Sequence, residues 1–187
     1  MSNLRFHIFE TDLGWVGVAF SGAGLREITL PHKSRDDAFR KIAELGADEP
    51  ATEAEARSAS AMVKALVLGR PHANGLPLDW SGITPFRREV MEECMRIPAG
   101  QTLTYGELAA KVGRPRSARA VGRVMATNPF PLLVPCHRVL GSDGTLHGYG
   151  GGLPMKAALL KAEGKPVKRG LENLPNAARM GKGLKRP

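Results

Sequence analysis

The chain has 187 residues, 42% of them hydrophobic and 24% charged, the composition of a soluble globular protein large enough to bury a core. It contains no run of about 18 apolar residues, which excludes a membrane-spanning helix, and Met1 to Phe9 lack the apolar block of a secretory signal, so the expected compartment is the cytoplasm. The net charge of +9 is unevenly placed: residues 1–84 carry nine basic and eleven acidic side chains, residues 85–164 eleven and six, and residues 165–187 seven and one.

In the N-terminal part, Leu4, Phe6 and Ile8 alternate with Arg5 and His7, as in a strand with one buried face. Asp12-Leu13-Gly14 is a turn before the apolar run Trp15 to Phe20. Gly22-Ala23-Gly24 turns again, and Leu25, Ile28 and Leu30 suggest a third strand, so the spacing predicts a meander. Ser34 can cap a helix with Phe39, Ile42 and Leu45 on its inner face. A longer helix is predicted from Thr52 to Leu68, stopped by Gly69 and Pro71. No chemistry stands out in this α+β domain, assigned to residues 1–78, and its expected role is support. Residues 72–84, with their Pro, Gly and Asn, read as a connection, with the linker proper at 79–84.

Residues 85–164 read as a mainly helical domain, which makes the whole chain α+β. Thr84 caps and Pro85 opens a helix whose Phe86, Val90, Cys94 and Ile97 form one apolar stripe; Cys94 is therefore expected in the core. After Pro98-Ala99-Gly100, Thr104 caps a helix from Tyr105 to Val112. Gly113-Arg114-Pro115-Arg116 turns, and Ser117 caps a helix from Ala118 to about Thr127. Two capped helices around a tight turn form a winged helix-turn-helix-like pattern. Lys111, Arg114, Arg116, Arg119 and Arg123 fall within thirteen residues with no acid among them, the electrostatic footprint of a nucleic-acid partner; a solvated basic face has the same composition. The tail, 165–187, is basic and expected to be disordered.

Asn128-Pro129 ends the second helix, and Phe130 to Val134 suits a buried extended segment. It leads to Pro135-Cys136-His137-Arg138-Val139. Only a thiolate is a strong nucleophile, and a free thiol near pKa 8.5 is about a few per cent ionised at neutral pH. A neighbouring His, oriented by a carboxylate, is expected to lower the thiol by about one or two units. A buried structural Cys beside an incidental His would look the same. With two cysteines there is no disulfide framework, and the five histidines are scattered with no CxxC or HxxxH, so neither metal nor cofactor is expected.

Pro135-Cys136-His137-Arg138-Val139 resembles the active-site pentapeptide of the O6-alkylguanine-DNA alkyltransferases, also called methylated-DNA–protein-cysteine methyltransferases. Thr84-Pro85-Phe86, Ile97-Pro98-Ala99-Gly100, Thr104-Tyr105-Gly106-Glu107-Leu108-Ala109, Ala118-Arg119-Ala120-Val121-Gly122, Asn128-Pro129 and Gly148-Tyr149-Gly150-Gly151-Gly152 resemble its other blocks in order, from about Thr84 to Gly164. The resemblance implies single-turnover, suicide DNA repair by a monomer. An alkyl group passes irreversibly from O6 of guanine in double-stranded DNA (O4-alkylthymine being a second substrate) to Cys136, after base flipping through the minor groove. It implies that Cys136 is the nucleophile, His137 its base through a water, Glu163 the group that orients the imidazole, and Asn128 the brace of the buried turn. Tyr105 crowds a phosphate and Arg119 fills the vacated stack. Ala118, Gly122 and Ala120 permit close approach to the groove, while Arg87, Arg114 and Ser142 contact the DNA backbone. Val139, Tyr149 and Gly150 line the alkylguanine pocket.

The chain departs from the family in places. No Cys precedes Cys94, so the zinc of some relatives is not expected. Met91 stands where Trp is frequent, and Arg123 replaces a small residue, where it either adds a phosphate contact or crowds the groove. Gly150 stands where some relatives have Ser, and is expected to leave room for bulky alkyl groups. A lesion-binding relative that transfers nothing, a cysteine hydrolase and a helix-turn-helix regulator are the competing readings. The first lacks the cysteine, the second needs an oxyanion hole, and the third needs a dimer element.

Overall fold

The computed structural model describes residues 4–72 and 76–165; apart from Lys165, the tail at 165–187 lies outside the described residues. Strands β1 (Leu4–Thr11), β2 (Gly14–Ser21) and β3 (Gly24–Ile28) form the antiparallel meander. A fourth strand, β4 (Ala47–Pro50), pairs parallel to β1, giving the order β3-β2-β1-β4. Its sequence has no apolar alternation to announce it; it is a strand because the preceding helix delivers it to the open edge of β1.

That helix, α1 (Arg35–Ala43), is capped by Ser34, whose side chain accepts from the Asp37 N–H. Ala38 and Ile42, four residues apart, are its buried pair. Phe39, expected to face inward with Ile42 and Leu45, is 41% exposed instead and rests on Phe6, with ring centroids 5.4 Å apart. One residue past Ala38 it has rotated to the flank of the buried stripe. Helix α2 (Glu53–Val67) carries a full capping box between Thr52 and Glu55 and buries Ala59, Met62, Val63 and Val67 under the sheet.

The second half contains α3 (Pro85–Met95), α4 (Tyr105–Lys111), α5 (Ala118–Ala126) and α6 (Gly152–Ala162). Two short parallel strands, β5 (Leu103–Thr104) and β6 (Val139–Leu140), complete it. Helices α4 and α5 form the helix-turn-helix. Thr104 caps α4 with Glu107 in a capping box, but Ser117, expected to cap α5, makes no side-chain cap bond; its ψ of 21° has already left the extended backbone that an N-cap uses to reach back.

The halves share one core. A single buried cluster runs from Val16, Val18, Phe20, Leu25 and Ile28 through Met62 and Val63 to Val90, Cys94, Leu108, Val121, Phe130 and Cys136. The connecting segment is fastened along β3. Leu25 N–H donates to Pro77 O and Asp79 N–H to Leu25 O, both at 2.8 Å. The 4% exposed carboxylate of Asp79 accepts from Ser21 Oγ at 2.7 Å and Ser81 N–H at 2.8 Å. Trp80 then meets Phe130 edge-on at 5.4 Å, and Ile28 N–H donates across to Pro129 O at 2.8 Å.

Phe130, fully buried at this junction, should cost about 3–5 kcal/mol on truncation to Ala. Phe39→Ala should cost only about 1 kcal/mol, the scale of an exposed aromatic pair. Chemical denaturation of both variants tests the ranking, and equal losses would contradict this packing.

Candidate active site

Asn128 follows the C-terminal residue of the second helix-turn-helix helix and organises what comes next. Its Oδ1 accepts from Phe130 N–H and its Nδ2 donates to Val134 O, each at 2.9 Å. The segment between is a tight turn, not the extended run the sequence suggested: Val134 N–H donates to Phe130 O at 2.7 Å, and Leu132, 1% exposed, has φ +73°. A branched residue in the left-handed region is uncommon and persists where the surroundings impose it. Pro131 and the Asn128 clamp supply that constraint, because the turn satisfies its polar backbone inside an apolar core.

The turn hands the chain to a single 3₁₀ turn, Cys136–Arg138, with Cys136 7% and His137 2% exposed. His137 Nε2 lies 2.9 Å from Glu163 Oε1. Glu163 is the C-cap residue of α6 and is 2% exposed in its side chain. Arg138 holds the same carboxylate through Nε and Nη2, at 2.7–3.1 Å, while its Nη1 donates to Ile97 O. Gly100 N–H adds a fourth donor at 3.3 Å. Gly100 has φ +77°, and a Cβ there would meet the backbone carbonyl oxygen of Glu163 at 2.9 Å, so the Pro98-Ala99-Gly100 break needs glycine where it passes the end of α6.

Burial opposes ionisation of Glu163, but the bonds from His137 and Arg138 outweigh it and hold the carboxyl at about 2. Burial lowers the pKa of His137 against the opposing pull of Glu163. For Cys136 the direction differs from the expectation. Burial pushes the thiol up, and the Asn128 amide and the Lys156 charge offset this in part. Neutral thiol and neutral imidazole therefore coexist at rest. With Nε2 given to Glu163, Nδ1 of His137 is left buried without a protein partner, the acceptor position of this tautomer.

The remaining sequence-derived residues fall into two places. Val139 begins β6, fully buried, and Tyr149 shields its hydroxyl from solvent without a protein partner. Gly150 is exposed, and a Cβ there would stand 3.2 Å from Leu30 Cδ1, so a side chain of the N-terminal half borders this position. Tyr105, half-buried, packs its ring over Gly122, 3.9 Å from where a Cβ would be, and burial followed by proximity to Cys136 raises its phenol pKa. Ala118 and Gly122 are half-buried, Arg119, Arg123 and Ser142 exposed. Among the described residues Arg119 and Arg123 have no ion-pair partner, whereas Arg114 faces Glu89 at 3.5 Å and sits over Phe86, and Arg87 Nη2 donates to Thr127 O at 2.8 Å.

The sequence reading missed Leu30, the second partner that Arg138 gives Glu163, and Lys156, which is 1% exposed. Adjacency to His137 was a signal for Arg138; Lys156, in a helix with a second lysine five residues on, had none. Cys94 is fully buried and its thiol pushed beyond the usual range by burial. No group of three or more His, Cys, Asp or Glu among the described residues is placed to hold a metal. No helix there is long and apolar enough to cross a membrane. A surface cavity of about 260 Å³ is lined by Glu93, Arg96, Ile97, Gln101 and Lys111, and Cys136, His137 and Glu163 are not among its lining residues.

Residues 85–165 match the family model described as 6-O-methylguanine DNA methyltransferase, DNA binding domain. The methylated-DNA–protein-cysteine methyltransferase of Salmonella typhimurium is 54% identical over 84 residues, 45% of this chain and 49% of that protein; the match thus spans about half the length of that relative. The protein of the same name from Methanosarcina barkeri is 36% identical over 160 residues, 86% of this chain and 97% of its own. The crystal structure of Mycobacterium tuberculosis O6-methylguanine methyltransferase superposes with a TM-score of 0.70 at 31% identity, over 86% of this chain and 92% of that one. A structure of the mycobacterial protein in complex with DNA gives 0.69 at 32%, over 87% and 96%.

A carboxyl depressed from 4.5 to about 2 in the folded state stabilises the fold fully above pH 4.5, and that contribution is lost as the pH falls through about 2. Glu163→Gln should therefore melt well below wild type at pH 7, with the gap closing between pH 4.5 and 2. Melting curves against pH measure it; a constant gap would mean that the charge of Glu163 contributes nothing.

Proposed function

The chain belongs to the methylated-DNA–protein-cysteine methyltransferase family, and on that premise we propose that it repairs O6-alkylguanine in double-stranded DNA by moving the alkyl group, once and irreversibly, onto Cys136. The observation that carries this reading is the buried His137–Glu163 pair beside Cys136, which shares one core with Val121, Val124 and Met125 of α5, the helix whose Arg119 and Arg123 are exposed. A thiol that is shielded and neutral at rest needs its base within the same closed site, and the tautomer of His137 provides one.

In the transfer step the Cys136 proton passes to His137 Nδ1, through one water, and the imidazolium is held by Glu163. The thiolate attacks the alkyl carbon. The S–C bond forms as the C–O6 bond breaks, and the bonding pair leaves with the base. Guanine takes up one proton at N1, so the proton lost by the thiol is balanced by the one the base gains. A thioether is a poor leaving group, so the protein is consumed and no cofactor enters the balance.

Reaching O6 requires the nucleotide to leave the stack, at a cost of about a few kcal/mol. The exposed guanidinium of Arg119 fills the gap, and Tyr105, braced against Gly122, crowds the adjacent phosphate. Half-buried Ala118 and Gly122 let α5 sit close in the minor groove. Arg123 and Ser142 reach phosphates from the surface, and Arg87 and Arg114 do so after giving up their contacts with Thr127 and Glu89. Val139, Tyr149 and Gly150, with Leu30, form the pocket. O4-alkylthymine, the monomeric state and a cytoplasmic site of action, where the thiol stays reduced, belong to the same proposal.

Mixing the protein with a duplex containing O6-methylguanine should add one methyl group to the peptide with Cys136 and none to Cys94, as read by intact mass and peptide mapping. Cys136→Ala should bind the lesion and transfer nothing. More than one turnover, or methyl on Cys94, would refute the mechanism.

Arg119→Ala should slow transfer from duplex DNA by at least about tenfold, the weight of 1.4 kcal/mol of flipping energy, while leaving transfer from free O6-benzylguanine within about twofold. Equal slowing on both substrates would remove Arg119 from the flipping step.

A further inference from the structure

Residues 149–152 form a turn closed by a bond from Gly152 N–H to Tyr149 O at 2.8 Å. Its two central positions are both glycine, and they meet different neighbours. A Cβ on Gly151 would run into Met155 Sδ, a core side chain at the start of α6, so that side of the turn is filled from within its own half. Among the described residues, a Cβ on Gly150 would meet one atom within 4 Å outside its chain neighbours, Leu30 Cδ1 at 3.2 Å. Two carbons at rest stand about 3.5–4.0 Å apart, so the Leu30 side chain already holds part of the space that a side chain at 150 would need.

The backbone of Leu30 is held on both sides. Thr29 N–H donates to Gly17 O at 2.8 Å, and Thr29 Oγ1 accepts from Gly17 N–H at 2.9 Å. On the other side His32 and Trp15 exchange two backbone bonds, at 2.7 and 2.8 Å. Buried Pro31 restricts Leu30 to extended backbone. The same segment is tied to the turn before Cys136 by the bond from Ile28 to Pro129. The side chain itself is half-buried and packs on the main core. A branched apolar group on a fixed backbone, with part of its surface open, suits contact with a hydrocarbon group and offers neither charge nor hydrogen bond.

We propose that Leu30 is a specificity-determining residue for the transfer: with glycine at 150, the Leu30 side chain limits the size of the alkyl group that reaches Cys136. The inference rests on the proposed transfer and on the place of Gly150 in the alkylguanine pocket, and it names the range of substrates. Methyl and ethyl groups are taken ahead of benzyl, because a larger group needs the volume that Leu30 Cδ1 holds. Glycine at 150 thus does not widen the pocket on its own; the N-terminal half closes the gap. Leu30 touches only the alkyl group, and the bonds made and broken remain S–C and C–O6. Pairing on both sides keeps the backbone from yielding, so only rotation of the side chain makes room, at a cost in packing.

The test compares single-turnover transfer to the Cys136 peptide from two duplexes of one sequence, carrying O6-methylguanine or O6-benzylguanine. Leu30→Ala should raise the benzyl-to-methyl rate ratio at least about fivefold, since each additional CH₂ buried is worth about fourfold. Leu30→Val, one carbon shorter and still branched, should raise it about twofold to fourfold. The ratio is taken within each variant, so a loss of stability that slows both substrates alike leaves it unmoved. An unmoved ratio in Leu30→Ala overturns the proposal, and if that variant does not fold, an unmoved ratio in Leu30→Val does so. Transfer of neither group by the wild type would instead sink the repair reading, and this inference with it. Stability gives a second readout that needs no DNA. Gly150→Ala should lower the melting temperature of the wild type and lower it less in the Leu30→Val background, where the crowding side chain is shorter. Equal losses in the two backgrounds mean that the side chains do not meet, which also sinks the idea.

Discussion

The structure depends first on one buried carboxylate. Glu163 sits inside the protein with both oxygens occupied, and ionising it there is tolerable only because His137, the Nε and Nη2 of Arg138 and the Gly100 N–H converge on it. The donors come from two separate stretches of chain, the 3₁₀ turn and the break between α3 and α4, and Arg138 ties the two together through the Ile97 carbonyl. The end of α6 is also where the N-terminal half touches down. Gly69, at the end of α2 with φ +67°, lies so close that a Cβ would stand 2.5 Å from Ala162 O. Removing the charge would therefore loosen several elements at once. It also fixes the tautomer of His137, so a single interaction sets both the stability of the site and the direction in which a proton can move.

A second constraint comes from the sheet. Its edge strand β3 donates from Ile28 to the carbonyl of Pro129, the residue after Asn128, and Trp80 from the connecting segment packs on Phe130 two residues later. Asn128 can impose the left-handed conformation of Leu132 only if its own position is fixed, and these contacts fix it from the other side. Leu30 then reaches Gly150. The N-terminal half thus packs against the turn that leads to Cys136 and, through Leu30, against Gly150.

Much of this was legible in the sequence, and the exceptions have physical reasons. The meander, the Thr52 and Thr104 caps and the stripe Val90, Cys94, Ile97 follow from local periodicity and capping chemistry, which neighbouring residues determine. The pentapeptide around Cys136 carries its chemistry in consecutive residues. What failed was non-local. Strand β4 exists because β1 has an open edge; Phe39 turned outward because Ala38 and Ile42 already filled the face; Ser117 lost its cap to the backbone geometry of the turn before it. Lys156 reads as a surface lysine because nothing in Met155-Lys156-Ala157-Ala158 records that the helix face points at Val139. The thiol was misjudged for the same reason: adjacency to His137 is visible in sequence, but the burial that outweighs it is not.

Under the single-use transfer proposed above, that difference has a consequence. A thiolate exposed at rest would react with any oxidant or electrophile, and each such event would consume a molecule before it met a lesion. Burial that raises the Cys136 pKa suppresses this, and the groups that reverse it are already in place: a neutral acceptor on His137, an ionised Glu163 to receive the imidazolium, and the Asn128 amide beside the sulfur. None has to move for ionisation to become favourable; only the partner has to arrive. A flipped base closing the pocket would bring the alkyl carbon to the sulfur, and attack would draw off each thiolate as it forms. The site is thus preorganised for the ionised state while resting in the neutral one, and selectivity for the lesion follows from needing the alkyl carbon at the end of a fixed line of proton acceptors.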